Sequence, residues 1–165
     1  MEYLLISGAQ DVGKTKSIYL LVRDILKEKK GFQEIDGKFP KKCIDFIVLL
    51  EGKDKDGKTV RIIVNSPTDH PSLVDRLKNF KEKNQKKQPV NFLISSVRDG
   101  NQEIKYFFDT MDITSNFIEV PLAKIIPDRK DYKAALKRYQ DTVSKLLAHI
   151  LEAPPFDLKK DSSNS

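Results

Sequence analysis

The sequence predicts an α/β protein: a three-layer α/β/α sandwich on a mostly parallel five-stranded sheet that includes one antiparallel hairpin. Three observations lead there. Apolar runs of strand length alternate with amphipathic stretches of helix length, as in chains that cover both faces of a sheet with helices. One pair of runs breaks the alternation, being joined only by a polar connector containing Asp56-Gly57, a hairpin signal. The first run, Tyr3-Leu4-Leu5-Ile6-Ser7, passes without interruption into a glycine-bounded loop and then a helical pattern.

Taken in order, residues 3–7 form the first strand, and Ile18, Leu21, Val22, Ile25 and Leu26 recur at helical spacing behind it. That helix is expected to close near Gly31, where glycine accepts the left-handed turn. Residues 32–42 carry Gly37, Pro40 and mixed charge and read as a loop, a segment expected to move over a ligand. Residues 44–51 and 59–64 are the hairpin strands, and the Asn65 to His70 turn follows. A helix is expected from Ser72 to about Lys83, a strand over residues 89–95, a helix over 102–111 and a strand over 116–121. The last helix has Asp128 as its N-cap and Tyr132, Ala135, Leu136, Tyr139, Val143, Leu146, Leu147 and Ile150 on one buried face. One domain therefore spans residues 1–153, and residues 154–165 are expected to be a disordered tail. In this arrangement strands one, three, four and five run parallel and end on one edge, where ligands bind in such sheets.

The loop Gly8-Ala9-Gln10-Asp11-Val12-Gly13-Lys14-Thr15 fits G-x-x-x-x-G-K-T in the strand–loop–helix setting that pattern requires. Its chemistry is anion binding. The glycines let backbone N–H groups turn inward around a phosphate, Lys14 reaches the outer phosphates, and the Thr15 hydroxyl ligates Mg²⁺. Gly8, Ala9, Gln10, Asp11, Val12, Gly13, Lys14, Thr15 and Lys16 are thus the expected nucleotide-phosphate contacts. A second metal anchor is harder to find. Glu51 ends an apolar run on the wrong edge, and the strand that ends correctly delivers Asn65 and Ser66. Asp69 is the nearest acid on the correct loop, for metal or water, or else a cap for the following helix. Arg98, after the fourth strand, either neutralises phosphate charge or pairs with a neighbouring acid. Lys14, Asp69 and Arg98 are the expected catalytic residues, and Thr15 and Asp69 the expected metal contacts.

Bulk properties narrow the classes. With 30 Lys and Arg against 24 Asp and Glu, the net charge of +6 is spread among acids, without a basic face interleaved with aromatics, so nucleic acid is not an expected partner. Cys43 stands alone, which leaves no intramolecular disulfide and points to the reducing cytoplasm. His70 and His149 are far apart and do not suggest zinc. The apolar runs are too short to span a bilayer, and the N-terminus lacks the basic region of a signal peptide.

On Gly8, Gly13, Lys14 and Thr15 the chain resembles the P-loop (Walker A) nucleoside triphosphatase superfamily. It also resembles small bacterial ATP-binding P-loop proteins, through the loop from Val64 to Asp69 and the segment from Ser96 to Gly100. A more distant likeness is to small GTPases. Asn65-Ser66-Pro67-Thr68-Asp69 sits where those carry Asp-x-x-Gly-Gln, and residues 118–124 are similar to their late base-contact loop. Their Asn-Lys-x-Asp guanine signature is absent, Ser96-Val97-Arg98-Asp99 standing in its place.

The resemblance implies binding of ATP, or less favourably GTP, with Mg²⁺, and slow hydrolysis serving as a switch. Two other outcomes stay open: a kinase of a nucleotide or small metabolite, with Arg98, Arg76 or Arg129 clamping the acceptor, and a non-hydrolysing module whose nucleotide state changes a partner interface.

Overall fold

The computed structural model describes residues 1–125 and 131–159. The protein is α/β, with a six-stranded, mostly parallel sheet in the order β2-β3-β4-β5-β1-β6. Strands β1 (Glu2–Gly8), β4 (Thr59–Asn65), β5 (Phe92–Arg98) and β6 (Phe117–Pro121) are parallel; β3 (Ile47–Lys53) is antiparallel to β4, and β2 (Gln33–Gly37) is antiparallel to β3. The helices are α1 (Lys14–Leu20), which continues as a π-helical stretch Leu21–Lys29, α2 (Pro71–Gln85), α3 (Asn101–Met111) and α4 (Tyr132–Glu152). Wider turns mark the end of the first helix, where the Lys30 N–H donates to the Ile25 carbonyl five residues back.

Strand β1 is hydrogen-bonded on both sides and buried from Tyr3 to Gly8, which explains a continuous apolar run in place of alternation. Its side chains nevertheless divide by parity. Leu4 and Ile6 enter one core with Ile18, Val22 and Leu26 of the first helix and Val143 and Leu147 of α4. Tyr3 and Leu5 enter another with Val74 and Leu77 of α2 and Phe107 and Met111 of α3. Among the described residues no helix is long and apolar enough to cross a membrane.

Several expectations are corrected. The sheet has six strands, because residues 32–42, read as a mobile loop, contain β2. Every residue of β2 is exposed or half-buried, so this edge strand carries no apolar periodicity to announce it. The rest of that segment is anchored. Phe32 is fully buried, Phe39 stacks on Tyr19 with ring centroids 5.0 Å apart, and the Tyr19 hydroxyl donates to the Lys41 carbonyl at 3.0 Å.

Strand β3 begins at Ile47, later than the apolar run suggests. Its partner β4 ends at Asn65, paired with Ile47, and Pro67 beyond it has no N–H to extend the ladder. Residues Ile44 and Asp45 are therefore left exposed ahead of the strand. Strand β5 is displaced toward the C-terminus and runs to Arg98, which places Ser95 and Ser96 inside it.

Within the expected tail, Phe156 and Leu158 are packed into the core, while Pro154, Pro155 and Lys159 stay exposed. Phe156 is 1% and Leu158 0% exposed, the Phe156 ring meets Phe92 at 5.0 Å, and Leu158 bridges to Asp54. Residues 160–165 lie outside the described residues, as do Asp128, the expected cap of α4, and Arg129. On α4 the buried stripe is Val143, Leu147 and Leu151, whereas Leu146 is 45% exposed.

Candidate functional site

The parallel strands β1, β4 and β5 end on one edge of the sheet, and the antiparallel β3 starts there. The loop after β1 needs unusual backbone at three points: Gly8 has φ 145°, Asp11 φ 62° and Gly13 φ 92°. At Gly8 a side chain is sterically forbidden as well, since a Cβ would lie 2.8 Å from Val12 Cγ2 and 3.0 Å from the Leu122 carbonyl oxygen. Gly13 precedes α1 without any side-chain cap, so the first N–H groups of that helix have no partner within it.

Lys14, the first residue of α1, is buried and folds back on this loop. Its ammonium donates to the carbonyl oxygens of Gly8 and Ala9, each at 2.7 Å. An ammonium has three donors, and two are used. Burial pulls Lys14 below the ordinary lysine pKa; Asp69, Asp99 and Asp11 oppose that shift, while Arg98 adds to it. The Gly8 carbonyl also accepts the Asp99 N–H at 3.2 Å, and Gly8 pairs in register with Arg98.

Gln10, Asp11, Gly13, Lys14, Thr15 and Lys16 line a cleft of about 390 Å³. Cys43, Ser66, Asp69 and Ser96 complete its wall. Of the expected residues, Gly8, Ala9, Val12 and Arg98 stand outside that wall. Val12 instead packs against the core. Arg76 lines a neighbouring cleft of about 480 Å³.

The expected rival role for Asp69 is excluded: His70 caps α2, its Nδ1 accepting the Ser72 N–H at 3.3 Å. Asp69 stays exposed at the cleft. Asn65 faces inward, 2% exposed, and its amide donates to the Pro67 carbonyl at 2.9 Å and the Ser95 hydroxyl at 3.1 Å. Ser96 donates to the Ser66 carbonyl at 2.5 Å and shares a 2.9 Å bond with the Thr68 hydroxyl. This buried polar network fastens the ends of β4 and β5 together. Glu51 lies at the opposite end of β3, where its carboxylate stands 3.5 Å from Arg61 Nε.

No family model, curated protein or solved structure matches the chain.

The structure adds one acid to the site. The Thr15 hydroxyl donates to Asp45 Oδ1 at 3.2 Å, and the Ser66 hydroxyl approaches the same oxygen at 3.4 Å. In the sequence Asp45 lies inside an apolar run and reads as a strand residue; only the antiparallel direction of β3, signalled by the hairpin, points to its position. Among the described residues no group of three or more His, Cys, Asp and Glu side chains is gathered for a metal ion. A small hard cation at Thr15 would have to complete its shell with phosphate and water oxygens, which is how Mg²⁺ is commonly held. The arrangement can hold an anion at the loop and an oxygen-liganded cation beside it.

Proposed function

We propose that this is a P-loop protein of three-layer α/β/α architecture that binds a nucleoside triphosphate, ATP in preference to GTP, together with Mg²⁺. It hydrolyses the nucleotide slowly and uses the bound state as a switch, working in the cytoplasm. The observation that carries this reading is the Lys14 ammonium, held between two loop carbonyls at 2.7 Å with one donor unused, in a cleft of about 390 Å³. A phosphate oxygen supplies the missing acceptor through a charge-assisted hydrogen bond. The open N–H groups at the start of α1 add donors of the same sign.

Bound Mg²⁺ supplies charge neutralisation on the phosphate oxygens, and Thr15 would hold it. Asp69, exposed and uncommitted to the helix cap, orients water at the cleft. Slow turnover follows from Asn65, whose amide is consumed in the β4–β5 network and which carries no charge. The preference for ATP rests on the missing guanine signature, together with the commitment of the Ser96 hydroxyl to Ser66 and Thr68.

Isothermal titration with Mg-ATP and Mg-GTP tests the reading. Binding of ATP is expected, with phosphate release slow on the timescale of exchange. Absence of binding to both nucleotides up to millimolar concentration rejects it.

A second reading is favoured by one observation. Asp69 also lines an adjoining cleft of about 360 Å³ with His70, Gln102, Glu103 and Tyr106, large enough for a small polar phosphoryl acceptor. A kinase would yield a phosphorylated product in place of free phosphate.

A further inference from the structure

We infer that Asp45 is the acidic anchor of the cation that accompanies the nucleotide, supplied from the start of an antiparallel strand because the parallel strand β4 ends in Asn65. The inference rests on the nucleotide-binding reading above and adds to it the metal-binding carboxylate that Asn65 does not provide.

Topology puts Asp45 in place. β3 is antiparallel to β4 with Ile47 opposite Asn65, so residues just before β3 emerge on the edge where β1, β4 and β5 end. Asp45 lies two positions before Ile47 and is exposed. Its Oδ1 accepts the Thr15 hydroxyl at 3.2 Å and faces the Ser66 hydroxyl at 3.4 Å, and both of those residues line the cleft that holds Lys14. Ser66 is itself fixed, its hydroxyl accepting the Phe46 N–H at 2.9 Å.

The spacing suits the ion. Octahedral Mg²⁺ with bonds of about 2.0–2.1 Å sets neighbouring ligand oxygens about 2.9 Å apart. Thr15 Oγ1 and Asp45 Oδ1, at 3.2 Å, are already close to one edge of that octahedron, and a cation entering between them replaces the hydrogen bond with two metal bonds. Two other candidates are committed elsewhere, and Asp69, on the far loop of the cleft, is the residue read above as orienting water. Asn65 is buried and bonded through its amide, and Glu51 stands beside Arg61 at the far end of β3.

The test uses the whole chain with Mn²⁺ as a paramagnetic probe and the β,γ-imido analogues of ATP and GTP. Free Mn²⁺ is read by electron paramagnetic resonance, and nucleotide affinity is read with and without metal. Asp45→Asn keeps the side-chain shape at an exposed position, and its melting curve is compared with that of the native chain. The expected result is a loss of Mn²⁺ affinity of tenfold or more in the Asp45→Asn nucleotide complex, matched by Thr15→Ala, with metal-free nucleotide affinity not reduced in Asp45→Asn and Glu51→Gln behaving as the native chain. Native Mn²⁺ affinity in Asp45→Asn, alongside its loss in Thr15→Ala, overturns the role of Asp45 while leaving nucleotide binding intact. A native chain that takes up neither analogue under any condition overturns both readings together.

Discussion

The Lys14 ammonium stands 2.7 Å from the Gly8 carbonyl oxygen, and the same oxygen accepts the Asp99 N–H at 3.2 Å. One peptide group therefore ties the loop to the first helix and to the neighbouring strand β5. Lys14 is thereby placed in advance, so little of its side-chain entropy would be lost on binding the phosphate proposed above.

Replacing Lys14 by Met keeps the apolar stem and removes the charge. Hydrogen bonds to charged groups contribute roughly 1.5–3 kcal/mol, so triphosphate affinity is expected to fall roughly 10- to 100-fold. Calorimetric titration of both proteins with Mg-ATP checks this, and equal affinity would place the anion site elsewhere.

The packed residues that follow α4 give a stability prediction. Phe156 is 1% exposed and meets Phe92 edge-on at 5.0 Å, in the same core as Leu158. Phe156→Ala is expected to destabilise the fold by about 3–5 kcal/mol, the usual cost of emptying a buried phenyl site. Urea unfolding reads the difference; a cost below about 1 kcal/mol would mean that this segment is not part of the cooperative unit.

Asp36 of β2 links the edge of the sheet to α2. Its carboxylate accepts from Lys83 at 2.8 Å and from the Asn84 amide at 3.0 Å. The Lys83 bond, foremost, lowers its pKa from 3.8 to about 2. A carboxyl depressed in the folded state stabilises the protein above its unfolded pKa, and the gain is lost as pH falls from 3.8 through about 2. Because the pair is partly solvated, the contribution is held to about 1 kcal/mol or less. Asp36→Asn should therefore be less stable than the native chain at neutral pH, and the gap should close on acidification. Chemical unfolding at a series of pH values measures it, and a gap independent of pH counts against the linkage.

The strand–loop–helix opening, the hairpin and the four parallel strands were legible because their signals are local: a continuous apolar run, a Gly-bounded turn, helical spacing. The six-stranded sheet was not, because β2 has no buried face and owes its existence to pairing with β3. The tail misled in a related way, with Pro154-Pro155 and the polar residues that follow masking Phe156 and Leu158, whose burial depends on distant core residues such as Phe92. In the site, Gly8, Gly13, Lys14 and Thr15 were visible as a pattern. Asp45 was hidden in a run of apolar neighbours.

By itself the sequence determined which residues form the loop and what chemistry they suit, because backbone freedom at glycine and the charge of Lys14 belong to the residues themselves. The tertiary structure alone decided which acid faces Thr15. That choice depends on strand direction: an antiparallel neighbour brings its start, and hence Asp45, to the edge where parallel strands bring their ends. It also depends on hydrogen bonding between β4 and β5, which turns Asn65 inward and leaves Asp69 exposed at the cleft. Such relations join residues 30 positions apart and more, beyond the reach of local pattern.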